Sequence, residues 1–132
     1  MGYRSDVVLM AVFMSAEKHD EVMAVYRMDS RVQKHKCEAE WRRVDMDDGV
    51  VVRIYQGNDV KWYEDYEDVQ GLQHLCTVAE QFADARKFEY AWGYARTGED
   101  TEDTEYDVQG DKDLMEVVYG NLEIRRYIDI SL

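Results

Sequence analysis

The run DVVLMAVFM, Asp6 to Met14, is apolar at almost every position. A strand with one wet face alternates, so an unbroken run of this length predicts a central strand covered on both faces. Ser15 follows as a helix N-cap, with Glu17 in the first turn where the helix dipole favours an acid. His19, Val22, Met23 and Tyr26 recur at helical spacing and predict a helix over residues 16–28. The basic stretch RVQKHK leads out of it. EAEWRRVDMDDGVVVRIYQ reads as two strands around the turn pair Asp48-Gly49. QGND reads as a second turn that returns VKWY as a short third strand.

Farther on, Val69, Leu72, Cys76, Ala79 and Ala83 mark one face of a long helix. Asp65 is its expected cap, Glu67 and Asp68 suit its positive end, and Arg86 and Lys87 its negative end. FEYAWGYA alternates: Phe88, Tyr90, Trp92 and Tyr94 face one way, and Glu89, Ala91, Gly93 and Ala95 the other. GEDTEDTEYDVQGDKD, residues 98–113, has no apolar period and reads as a solvated acidic loop. LMEVVY predicts a short helix closed by Gly120, with a hairpin at Gly120-Asn121 as the alternative. LEIRRYIDI reads as a last strand. The order of elements gives a single α+β domain over residues 1–132. Its expected architecture is a ferredoxin-like sandwich, an antiparallel sheet with two main helices on one face.

Composition narrows the function classes. The chain has 132 residues, enough for a core without staples, and 45% of them are apolar, too many for a disordered polymer. Two cysteines, Cys37 and Cys76, make no disulfide framework and suit a reducing cytoplasm. The start, MGYRSD, has Gly2 but places Asp6 where a myristoylation signal wants Ser or Thr, and it lacks a signal-peptide layout. Net charge is −13; residues 1–61 hold ten bases against eleven acids, and residues 62–132 six against eighteen. That field repels nucleic acid and anionic membranes and attracts basic protein surfaces.

Three stretches, MGYRSDV at the start, VKWYEDYEDVQ from Val60 to Gln70, and RTGEDTED from Arg96 to Asp103, carry a resemblance. In residues and order the chain resembles a group of small uncharacterised phage and prophage proteins. The resemblance implies a phage-associated origin, expression in the cytoplasm of a host bacterial cell, and action on a host component. It assigns no residue a role. The TEDTEYDVQGD segment departs from the group.

Little of the sequence points to chemistry. DTEDTEYDVQGD and DMDDG both miss the spacing of a calcium loop, the latter with Gly49 one place early. HKC at 35–37 and HLC at 74–76 repeat a His/Cys spacing. Residues two apart on a helix point apart, however, and Cys76 belongs to the apolar stripe. No glycine-rich phosphate cradle follows a strand, and serines sit at turns or ends. The expectation is no catalytic residue, no metal and no cofactor. The chain is expected to bind a host protein with a basic surface, without direct nucleic-acid or membrane contact. One form of this is a DNA mimic inhibiting a defence or regulatory factor. The partner-binding residues singled out are Glu99, Asp100, Glu102, Asp103, Glu105 and Asp107, with Trp62 and Tyr66 as aromatic anchors. The alternative is a self-associating structural or accessory protein, a homo-oligomer using the face of Phe88, Tyr90, Trp92 and Tyr94.

Overall fold

A computed structural model describes residues 3–86, 89–100 and 102–118. Strand β1 (Ser5–Phe13) is followed by helices α1 (Ala16–Tyr26), α2 (Ser30–His35) and α3 (Cys37–Glu40). Strands β2 (Arg42–Asp45) and β3 (Val51–Val60), helix α4 (Glu67–Arg86), and strands β4 (Tyr90–Gly98) and β5 (Thr104–Gly110) complete the series. A last helix, α5, spans residues 112–118.

The strands form one sheet in the order β2-β3-β1-β4-β5, every neighbouring pair antiparallel. Strands β1 to β4 have the order of the split β-α-β ferredoxin-like arrangement, and β5 extends it beside β4. The fold is therefore α+β, as the element order predicts. Strand β1 lies at the centre because it is apolar on both sides. Val7, Leu9, Ala11 and Phe13 meet α1 and α4, whereas Val8, Met10 and Val12 pack on the opposite face with Leu114 and Val118 of α5.

Local signals explain most boundaries. The Ser15 hydroxyl accepts the Lys18 amide hydrogen and starts α1. Asp29 does the same for α2, accepting from the amides of Arg31 and Val32. Gly49, at φ 91°, closes the turn between β2 and β3.

Four sequence readings are revised. RVQKHK is mostly helix α2 rather than a connection. QGND is no turn: β3 runs through it to Val60, because pairing with β1 prevails over local turn propensity. The irregularity is absorbed at Asp59 (φ 55°), whose amide donates to Asp6 Oδ1 while Arg4 donates to its carbonyl. Helix α4 starts at Glu67, so the residue before it is Tyr66 and not Asp65. The acidic segment is a turn plus strand β5 rather than a loop throughout. Lys87, Phe88, Gly120 and the expected last strand lie outside the described residues. No described helix is long and apolar enough to cross a membrane.

Candidate functional site

Residues from MGYRSDV, VKWYEDYEDVQ and RTGEDTED, far apart in the sequence, meet in space. Tyr3 comes from the first, Trp62, Tyr63, Glu64 and Asp65 from the second, and Arg96 and Asp103 from the third. With Tyr94 and Glu105 they line a cavity of about 470 Å³. Strand pairing brings them there: Arg96 faces Glu105 across the β4–β5 ladder, and Ser5 at the start of β1 pairs with Gly98.

Arg96 is the centre of the arrangement. Its side chain is only 12% exposed. It donates to Asp103 (2.7 Å), Glu105 (2.6 Å) and the Ser5 hydroxyl (2.9 Å). Burial opposes the guanidinium charge, yet the bonds to Asp103 and Glu105 outweigh it, and the pKa of Arg96 moves up. Arg96, and then the Tyr3 hydroxyl, hold the Asp103 carboxyl below the usual carboxylate range. The Tyr3 hydroxyl donates to Asp103 at 2.7 Å and accepts the Asp100 amide hydrogen at 3.3 Å. The Tyr3 amide donates to the Tyr63 hydroxyl, and the Arg4 amide to Glu99.

The wall is aromatic. Trp62 stacks on Tyr55 with centroids 5.8 Å apart, and Tyr63 tilts against Tyr66 at 5.0 Å. The Trp62 indole nitrogen is buried beside the Tyr94 hydroxyl, and among the described residues it makes no hydrogen bond of good geometry. Four carboxylates (Glu64, Asp65, Asp103, Glu105) against one guanidinium leave the lining at −3. Arg96 is shared by Asp103 and Glu105, which leaves that trio at −1, and the exposed Glu64 and Asp65 contribute the other −2; they form no ion pair among the described residues.

Of the residues singled out from sequence, Trp62, Asp103 and Glu105 line the cavity directly. Tyr66 is exposed beside Tyr63. Glu99, Asp100 and Glu102 form the adjoining turn, in which Asp100 accepts the Glu102 amide hydrogen. Asp107 lies opposite Tyr94 on β5 and accepts from Gln109. Tyr3, Tyr63, Glu64, Asp65 and Arg96 are not among the partner-binding residues singled out from sequence, and Tyr94 enters there only as part of the self-association face. Arg96 had a signal, as the one base among the acids of RTGEDTED; the Tyr3–Asp103 pair, 100 residues apart, had none.

Other sequence candidates do not gather. His35 is exposed, and Cys37 is buried against the carbonyls of Arg31 and Asp68. His74 stacks on Tyr26 beside Asp29, and Cys76 lies near the Met10 carbonyl. Burial pushes the Cys37 thiol up to about 11 and the Cys76 thiol up to about 12, which leaves both poor nucleophiles. Among the described residues no group of three or more His, Cys, Asp or Glu is placed to hold a metal. Tyr90 is buried, and Trp92 and Tyr94 pack against the core on the α4 side. The described part of the aromatic stripe thus faces α4, with Tyr90 buried and Trp92 and Tyr94 half-buried, and the small-residue face of β4 meets α5.

No protein-family model matches the chain, and no curated protein matches it.

Proposed function

We propose that this chain is a non-catalytic binding protein that takes a basic peptide segment of a partner into the aromatic, acid-rimmed cavity beside β4 and β5. The observation that carries the reading is the convergence of Tyr3, Trp62–Asp65 and Arg96–Asp103 on one cavity whose lining is net negative. A lysine or arginine side chain entering it meets two kinds of attraction, the carboxylates Glu64 and Asp65 and the aromatic faces of Tyr63 and Tyr94. The turn of Glu99, Asp100 and Glu102 extends the same negative surface.

In a phage-associated setting the partner is a cytoplasmic host protein with a basic surface, such as a nucleic-acid-handling defence or regulatory factor. Strand β5 favours that finer reading. It fixes Glu105 and Asp107 on one face about 6.8 Å apart along the strand, a rigid row of acids rather than a loose tail.

Fluorescence polarisation of a labelled arginine- and lysine-rich peptide tests the proposal. The double variant Glu64→Gln/Asp65→Asn is expected to weaken binding about tenfold, and Glu17→Gln/Asp84→Asn, an equal charge change elsewhere, less than about twofold. Equal losses would reduce the interaction to net charge. Displacement of a captured host protein by duplex DNA would support the mimic; no displacement would leave a plain protein-binding site.

A further inference from the structure

Arg53, outside the lining of the acidic cavity, presents an electrostatic anomaly. In a chain of net charge −13, this half-buried guanidinium has no carboxylate within ion-pair distance among the described residues. Its Nε donates to His19 Nε2 (3.0 Å) and its Nη1 to the Trp41 carbonyl (2.9 Å). Because His19 Nε2 accepts, the ring proton is on Nδ1, which donates to Asp20 at 2.9 Å, and the imidazole is neutral. Both acceptors of Arg53 are therefore neutral. They orient the guanidinium without cancelling its charge, and they leave Nη2 with no protein acceptor among the described residues.

The surroundings increase the cost of that charge. Burial works against it first; Glu38 is the next influence and offsets part of this, and the positive fields of Arg43 and Arg27 then oppose the charge again. Glu38 itself is clasped by Arg27 at 2.8 and 3.1 Å. Arg53, Arg27 and Lys36 line a cavity of about 560 Å³ whose apolar wall includes Val32 and Trp41. Three cations against Glu38 leave this lining at +2. The volume lies in the range of small-molecule sites.

We infer that the cavity beside α1, α3 and β3 binds a small molecule through a phosphate or carboxylate group seated on Arg53 and Lys36. A planar guanidinium fork held by neutral acceptors has the geometry for an oxyanion, and the anion supplies the missing counter-charge. Val32 and Trp41 would receive the apolar part of such a ligand. The site shares no lining residue with the acidic cavity.

The test is a titration of the ¹⁵N-labelled protein with inorganic phosphate and, separately, with succinate, each against sodium chloride at equal ionic strength. The reporters are the side-chain signals of Arg53 and Trp41. The expected result is a saturable shift for at least one anion, at millimolar midpoint, and none with chloride. The stronger of the two anions identifies the group. Lys36→Asn is expected to raise the midpoint about fivefold or more, and Lys61→Asn, a charge-matched change outside the cavity, to leave it within about twofold. Asn suits the left-handed backbone at Lys36 (φ 52°), so this variant keeps the fold. Arg53→Gln is expected to abolish saturation; should it fail to fold, the Lys36 comparison decides. Absence of saturation with both anions up to about 50 mM, or the same midpoint in Lys36→Asn and Lys61→Asn, would overturn the inference.

Discussion

Gly71 occupies the interior of α4, where alanine ordinarily stabilises a helix by about 1 kcal/mol. Here the opposite is expected. A Cβ at this position would come 2.7 Å from Cys37 Sγ, a short, buried side chain with no room to swing away. The Gly71 carbonyl also accepts the Tyr26 hydroxyl at 2.9 Å, and that hydroxyl accepts the Trp41 indole N–H, so a shift of the helix disturbs a buried chain of bonds. Gly71→Ala should cost about 1–2 kcal/mol in chemical denaturation, the overpacking outweighing the propensity. Combined with Cys37→Ala, it should show a coupling of about 1 kcal/mol or more. Simple additivity of the two changes would mean that the close approach is not the cause.

At the scale of elements, the β4–β5 hairpin depends on Arg96 as a strut. Arg96→Met keeps the aliphatic bulk and leaves Asp103 and Glu105 as neighbouring acids without their base. The predicted loss is about 1–3 kcal/mol, below that of a fully buried pair because both carboxylates reach solvent. Amide exchange should quicken first in Thr104–Gly110; a global loss with β5 exchange unchanged would refute the strut. This hairpin also marks the limit of what the sequence discloses. Strand β1, helix α1 with its Ser15 cap, the Asp48-Gly49 turn and the apolar stripe of α4 were legible because each signal is local. TEYDVQG alternates Thr104, Tyr106 and Val108 with Glu105, Asp107 and Gln109, a strand period hidden in the run of acids, and β4 fixes it by offering Arg96 to Glu105 and Tyr94 to Asp107. QGND misleads because pairing with β1 overrides its turn propensity, the left-handed Asp59 being held by Asp6 and Arg4. For the cavity, residue type alone singled out Trp62, Asp103 and Glu105. Their companions Tyr3 and Arg96 became visible through pairing across the whole chain.

Over the whole molecule the two charge populations separate across the sheet, with Arg27, Lys36 and Arg53 toward the β2–β3 side and the acid-rimmed cavity toward β4–β5. Acid should therefore destabilise the protein in two steps. Burial lowers the pKa of His19, against the hydrogen bond to Asp20. The native state then binds fewer protons than the unfolded chain, so this contribution is complete above about pH 6.5 and declines as the pH falls below it. Asp29 is held at about 2, first by Arg31 and then by the backbone amides it caps. Its contribution is complete above about pH 4 and is lost as the pH falls through about 2. Unfolding free energies measured from pH 8 to pH 2 should show both declines, the first removed by His19→Gln and the second by Asp29→Asn. A single decline below pH 4 in the parent protein would refute the role of His19. The central position of β1 has a consequence for synthesis. Its two partners, β3 and β4, begin some 46 and 85 residues after it, so the ribosome delivers the most apolar strand long before either neighbour exists. Until Tyr90–Gly98 emerges, that strand has an unpaired edge, and the nascent chain is most open to misassociation, or most in need of a chaperone, during the interval in which α4 is being made.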